Sequence, residues 1–276
     1  MTNLKMFCLS LDPKHLDLIK KLKYTPVGLG KNSFDNNWFT DKNGKNISDK
    51  NEFYGEYTFH YWIWKNYISE LKNNWIGFCQ YRKFWSFNNS ISEITDFNDL
   101  SNNLIKEIPE SLNSYESIIG IPIYINQLRL SKFIKHNFLH MIKNPSLFFK
   151  KEKRNIMFHF DMMHGRGNLS KAIELLDEKE KKDFSLFVKN SVSFNPHNMF
   201  ICRNSKILEL YYSSVFPWLK KCEKVFGFEL YGYGSKRMYG FLAERYMSYW
   251  FQKYTKFKLM PIIFKDLTDF QKIKGL

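Results

Sequence analysis

Five consecutive apolar residues, Trp75-Ile76-Gly77-Phe78-Cys79, stand between Asn73-Asn74 and Gln80. The run is short and has no apolar–polar alternation, which predicts a strand covered on both faces. The stretch before it predicts a helix: from Glu56 to Leu71, residues Tyr57, Tyr61, Trp64 and Ile68 fall at helical spacing. The same succession recurs along the chain. Strands are predicted at Lys5–Leu11, Tyr24–Gly30, Ser117–Ile125, Asn198–Cys202 and Lys258–Ile263. Helices are predicted at His15–Leu22, Asp96–Ile108, 129–143, Asn168–Lys189, Lys206–Phe226 and Lys236–Tyr254. Residues 31–50 form a long polar loop in this scheme, and 145–165 an irregular basic stretch. Strands alternating with helices predict the α/β class, a mainly parallel central sheet flanked by helices. With no linker or repeat in view, the expectation is a single domain over residues 1–276.

The net charge of +15 favours anionic partners: nucleic acid, anionic lipid or a phosphorylated small molecule. The cations are dispersed, without the compact tract of a nucleic-acid arm. The aromatic residues, 18% of the chain, recur within the apolar helices and strands, which favours core over base-stacking platforms. A nucleic-acid-binding protein is therefore the lesser expectation. The densest cluster, Lys150-Lys151-Glu152-Lys153-Arg154 beside Leu147-Phe148-Phe149, suits either a solvated loop or contact with a membrane surface. The first residues lack a signal-peptide apolar region, and no stretch approaches the roughly 20 apolar residues of a membrane span. Cys8, Cys79, Cys202 and Cys222 have no metal-ligand spacing and read as reduced core thiols of a cytoplasmic protein.

Ligands of open parallel sheets bind beyond the carboxyl ends of the strands, which singles out the loops 31–50, 80–90 and 160–168. In the first, Asp41, Asn46 and Lys50 are suited to hydroxyls of a ribose or sugar, although such residues also build turns. In the second, Tyr81, Arg82 and Lys83 follow the apolar strand. An arginine fork and a lysine point charge suit a diphosphate, and Tyr81 could stack on a base or sugar. The alternative is a polar strand end whose cations reach solvent. In the third, His164 lies three residues after Asp161, a spacing for a carboxylate-oriented base, or it is a loop imidazole facing water. His136 and His140 have a metal-ligating spacing, but no Glu follows His136 and no metal site is expected there. Glu244 sits in an apolar helix and needs a partner; Arg237, seven residues earlier, is the expected one. Glu244 is either half of a core ion pair or a general base. There is no D-x-D triplet, Asp96-Phe97-Asn98-Asp99 being the nearest approach, so no metal ligand and no cofactor is read from the sequence and dependence on Mg²⁺ or Mn²⁺ is left open.

Several of these residues fall into longer patterns. Asp41, Gly44, Asn46-Ile47-Ser48, Lys50-Asn51, Tyr54, Glu56, Thr58 and Tyr61-Trp62-Ile63-Trp64-Lys65-Asn66 are followed by Gly77, Tyr81-Arg82-Lys83-Phe84-Trp85, then Asn198-Met199-Phe200-Ile201 and Arg237-x-x-Gly240-Phe241-Leu242-Ala243-Glu244-Arg245. In these blocks the chain resembles the bacterial polysaccharide-biosynthesis glycosyltransferases grouped as domain of unknown function 4422, from about Tyr24 to Trp250. It departs from them in having Gln80 where a His is usual and Lys83 where a second Arg is. The resemblance implies a GT-A-like fold and transfer of a sugar, galactofuranose among the options, from a UDP-linked donor to a capsule or lipopolysaccharide glycan, lipid-linked oligosaccharides included. It implies Glu244 as the base of an inverting displacement, with Arg82 and either Lys83 or His164 stabilising the leaving diphosphate in place of a metal. Asp41, Asn46, Lys50, Tyr81, Arg82, Lys83 and Arg237 fall on the donor side, and His197, Asn198 and Arg245 on the acceptor side. It further implies a cytoplasmic enzyme at the inner face of the membrane, with peripheral membrane contact and no nucleic acid. A non-catalytic scaffold in a polysaccharide assembly complex is the remaining alternative.

Overall fold

In the computed structural model, residues 2–71, 74–88, 94–129 and 150–271 are described. His136 and His140, with nearly all of the helix expected over 129–143, lie outside them, as do Leu147, Phe148 and Phe149. The strands are β1 (Thr2–Ser10), β2 (Thr25–Gly28), β3 (Phe39–Thr40), β4 (Trp75–Gln80), β5 (Lys83–Trp85), β6 (Glu107–Ile108), β7 (Ser117–Gly120), β8 (Ile123–Tyr124), β9 (Ser193–Phe194), β10 (Phe200–Cys202), β11 (Phe257–Met260) and β12 (Ile262–Phe264). The helices are α1 (Leu16–Lys21), α2 (Asn51–Tyr54), α3 (Tyr57–Trp62), α4 (Phe97–Asn103), α5 (Ile156–His164), α6 (Asn168–Ile173), α7 (Glu178–Asn190), α8 (Ser205–Phe226), α9 (Tyr233–Lys236), α10 (Met238–Tyr254) and α11 (Leu267–Gln271).

The central sheet runs β11-β7-β10-β4-β1-β2-β3. Neighbours are parallel except at β10, which is antiparallel to both β4 and β7. The mainly parallel α/β architecture expected from the sequence is thus present. The two-residue period of the strands explains its two cores. Phe7 and Leu9 of β1 and Phe78 of β4 enter one, beneath α3, α8 and α10. Met6 and Cys8 of β1 and Cys79 of β4 enter the other, with Trp85, Leu18 of α1 and Leu100 of α4. Both faces are covered, which is why β4 could be an unbroken apolar run. All four cysteines are free and buried.

Several boundaries differ from expectation. The stretch 145–165 contains a helix, α5, capped by the Asn155 side chain on Phe158 N–H. It buries Ile156, Phe158, Phe160, Met162 and His164, every second residue, so it shows no stripe of helical period. The helix expected over Asn168–Lys189 is two, because Asp177 caps a new start. Pro122 divides Ser117–Ile125 into β7 and β8, and the helix expected at Asp96–Ile108 stops at Asn103. Helical turns continue from α3 to Leu71, as expected, but pass through a π turn at Ile63–Tyr67. In the cluster at 150–154, Lys151–Lys153 form an exposed turn and Arg154 is buried.

His60 of α3 is fully buried, with Nδ1 2.7 Å from the Tyr212 hydroxyl. Burial lowers its pKa from the ordinary 6.5 to about 3. Below pH 6.5 the unfolded chain therefore binds a proton that folded His60 refuses, and stability falls as the pH drops from there. This residue contributes at most about 1.4 kcal/mol per pH unit. Denaturant unfolding between pH 7 and pH 4 is expected to show a shallower decline in His60→Gln than in the parent.

Candidate functional site

Parallel strands β1, β2 and β4 end at one edge of the sheet, and a cavity of about 230 Å³ opens there. Ser10, Leu29, Gln80, Tyr81 and Arg82 line it from the strand ends, and Gly55, Glu56 and Arg237 from the helices. Tyr81 and Arg82 form the tight turn between β4 and β5, closed by the Gln80–Lys83 pair. The C-terminal segment pins this turn: Lys265 N–H donates to Arg82 O (3.2 Å) and Leu267 N–H to Tyr81 O (3.0 Å). The Tyr81 ring stacks on His15, centroids 5.0 Å apart, and the Arg82 guanidinium lies 4.8 Å from the ring centroid. Arg82 is half-exposed, its Nε 3.9 Å from Asp266.

Glu56 is the hub of the site. Its Oε2 accepts from Arg237 Nη2 (2.9 Å), and its Oε1 from Asn198 Nδ2 (2.9 Å) and, at 3.5 Å, from Gln80 Nε2. Gly55, at φ 57°, precedes it; any Cβ there would overlap Arg237 Nη2, so this close approach requires glycine. Gln80 Nε2 also donates to His197 O (3.1 Å). His197 (φ 78°) and Asn198 (φ 53°) are consecutive left-handed non-glycine residues, a conformation that survives only when its surroundings over-determine it. The surroundings do: Glu244 Oε1 accepts from His197 N–H (2.6 Å), and Asn198 Nδ2 also donates to Gly240 O (3.1 Å).

Beyond this turn lies a second cavity, about 650 Å³, lined by residues of α5, α10, β9 and the 231–235 segment. Glu244 and Arg245 form an ion pair at its wall. Arg245 is 1% exposed; its guanidinium stands 3.8 Å from the Phe194 ring centroid, and its Nη2 is 3.2 Å from His159 Nδ1. A guanidinium only donates, so that imidazole nitrogen accepts. Burial and Arg245 hold His159 well below the ordinary range. His164 Nδ1 lies 3.0 Å from Gly234 O, and its ring stacks on Phe241 at 3.9 Å. Lys83 stands between the cavities. Burial lowers its pKa, while Glu56 and Glu244 oppose the shift. His197 is lowered to about 4 by burial and by Lys83.

The residues singled out in the sequence thus divide. Tyr81, Arg82 and Arg237 line the first cavity, and His164, His197, Glu244 and Arg245 the second, with Lys83 and Asn198 at the junction. Asp41, Asn46 and Lys50 line neither. Asn46 closes its own loop, accepting from Ser48 N–H and donating to Gly44 O. Lys50 pairs with Glu223 at 2.7 Å on another face. Asp41 is 1% exposed, and burial raises its carboxyl above the usual range. The expected Arg237–Glu244 pair is replaced by Arg237–Glu56 and Glu244–Arg245, because the side chain of Arg237 turns toward α3. Asp161 caps Gly167 N–H at 3.0 Å. Glu56 and His159 were missed. Glu56 appeared in the sequence only as one position of the family pattern, with no role assigned to it.

The family model described as "Domain of unknown function (DUF4422)" matches residues 9–256. No curated protein matches the chain. Among solved structures, the chain is similar in fold to an apo structure of the WbbM bifunctional glycosyltransferase, with a TM-score of 0.60 and 19% identity. The likeness covers 95% of this chain and 45% of the other, so the chain spans less than half of that protein's length.

Proposed function

The chain belongs to the family of domain of unknown function 4422, and from that premise we propose that it is a glycosyltransferase with its donor in the first cavity and its acceptor in the second. The observation that carries this is the junction: two cavities at the carboxyl edge of a parallel sheet, separated by Glu56 and the His197–Asn198 turn. Arg82, Lys83 and Arg237 put three cations around it, suited to the diphosphate of a nucleotide sugar. In the proposed step, an acceptor hydroxyl oxygen attacks the anomeric carbon and the bond from that carbon to the diphosphate oxygen breaks. The hydroxyl proton passes to Glu244, and the nucleoside diphosphate departs with the bonding pair. Attack from the second cavity, opposite the leaving group in the first, supports inversion. The resemblance in sequence supports a UDP-linked donor, with galactofuranose the first sugar to test. It also supports a capsule or lipopolysaccharide acceptor at the inner face of the cytoplasmic membrane, with the chain peripheral to it. Among the described residues, no helix is long and apolar enough to cross a membrane.

The test is a donor screen: released UDP is measured with UDP-sugars and candidate acceptors. Absence of both UDP binding and UDP release across the screen refutes the proposal. Arg82→Ala is expected to weaken UDP affinity about tenfold, the worth of one charge-assisted phosphate contact, as read by titration calorimetry. Undiminished affinity removes Arg82 from the donor site.

A further inference from the structure

Resting on the transferase reading, we infer that Glu56 is a positioning residue for transfer: through the His197–Asn198 turn it fixes the direction of the Glu244 carboxylate in the neighbouring cavity. Glu56 lines the first cavity and Glu244 the second, yet both hold the same two residues. Glu56 Oε1 accepts from Asn198 Nδ2 at 2.9 Å, and Glu244 Oε1 accepts from His197 N–H at 2.6 Å. Gln80 adds a second tie, its Nε2 donating to His197 O at 3.1 Å and reaching Glu56 Oε1 at 3.5 Å. Asn198 also reaches the helix that carries Glu244. Its Nδ2 donates to Gly240 O at 3.1 Å, one turn below Glu244 in α10, the carbonyl that a regular helix bonds to the Glu244 amide. There α2 and α10 come close: a Cβ on Gly240 would stand 3.1 Å from the carbonyl oxygen of Tyr54, two residues before Glu56. Glu56 itself is firmly held. Its side chain is 13% exposed, and its Oε2 accepts from Arg237 at 2.9 Å.

The turn needs this clamp. A side chain at positive φ crowds its own backbone, and His197 and Asn198 stand at φ 78° and 53° in succession. With the Asn198 side chain released, the turn relaxes toward ordinary backbone angles, the His197 peptide rotates, and its N–H leaves Glu244. Glu244 Oε2 then keeps its pair with Arg245, while Oε1 loses the donor that fixed it. A general base must stand within hydrogen-bond reach of the hydroxyl it deprotonates. A misdirected oxygen therefore slows transfer and leaves the donor cavity intact. Glycine at position 198 would remove one of the two strained positions, so that the bonds from Gln80 and to Glu244 suffice to hold the turn.

The test is a double-mutant cycle on the full chain, read by UDP release at saturating donor and acceptor and, separately, by UDP affinity. Glu56→Ala is expected to lower kcat roughly 30-fold or more, with UDP affinity not weakened, since misplacement by about 1 Å can cost 10²-fold. In the Asn198→Gly background, where the side chain that Glu56 holds is gone, the same substitution is expected to cost less than about threefold. Asn198→Ala keeps the strain and loses the clamp. It is expected to be about tenfold slower than Asn198→Gly, an order that loss of packing alone would not produce, and this pair carries the test if Glu56→Ala does not fold. A further readout is the His197 amide under selective ¹⁵N-histidine labelling, identified by its absence in His197→Gln. Its proton, on a short bond to a carboxylate, is expected to shift upfield in Glu56→Ala and in Asn198→Ala, but not in Asn198→Gly. Equal losses from Glu56→Ala in both backgrounds would make Glu56 a group that meets substrate directly and overturn the inference. A glycine variant no faster than the alanine one also overturns it. An unmoved amide in an enzyme that releases UDP sinks the inference alone. No UDP bound or released by the parent sinks the transferase reading, and the positioning role with it.

Discussion

Glu244→Gln is expected to lower sugar transfer roughly 100-fold or more while leaving UDP affinity unchanged, since loss of a positioned general base typically costs 10²–10⁴ in rate. The substitution preserves shape. The amide oxygen can still accept from His197 N–H, as Glu244 Oε1 does at 2.6 Å, so the turn between the cavities should persist. What is lost is the capacity to take a proton, along with the charge that faces Arg245. The first cavity has no contact with this side chain, so donor binding gives an internal control. Released UDP under saturating donor and acceptor reads the rate, and thermal shift with UDP reads donor binding. Normal transfer in the variant would remove Glu244 from the role of base and leave Glu56 the better-placed carboxylate.

The largest effect on stability is expected from Arg245→Leu. Glu244, 13% exposed at the cavity wall, would lose its ion-pair partner, and breaking a largely buried pair from one side typically costs about 3–5 kcal/mol. The contact of the guanidinium with Phe194, 3.8 Å from the ring centroid, is lost as well. Urea unfolding monitored by circular dichroism measures the change. The double variant Glu244→Leu with Arg245→Leu is expected to recover much of the lost stability, because exchanging both members of a buried pair for apolar side chains is often nearly neutral. It should remain inactive. A single variant as stable as the parent would mean that Glu244 finds another partner or reaches water.

Much of the fold was legible because it rests on local patterns. The unbroken apolar run at Trp75–Cys79 read as a doubly covered strand, and β4 is one. The helical stripe after Glu56 and the long apolar helix ending at Tyr254 were equally plain. α5 was not legible, because a helix buried on alternate residues has no stripe to find. Tyr81 and Arg82 could be placed at the edge where the first cavity opens because they follow a strand whose carboxyl end was predictable. Asn46 and Lys50 share the same residue chemistry but serve their own loop and a distant glutamate. Residue type alone could not separate these cases.

By itself, the sequence determined the α/β class, the buried cysteines, the strand end that presents Tyr81-Arg82-Lys83, and the family. Each depends on periodicity or on contiguous residues, which a chain carries regardless of its path in space. Tertiary structure alone decided the partners. Arg237 lies seven residues from Glu244 yet pairs with Glu56, 181 positions away. Glu244 turns instead to Arg245 and to the amide of His197. Which carboxylate a buried cation neutralises depends on which helices pack together and how each side chain is aimed, and the desolvation at stake is felt only once the core has closed. The two cavities exist only through that packing.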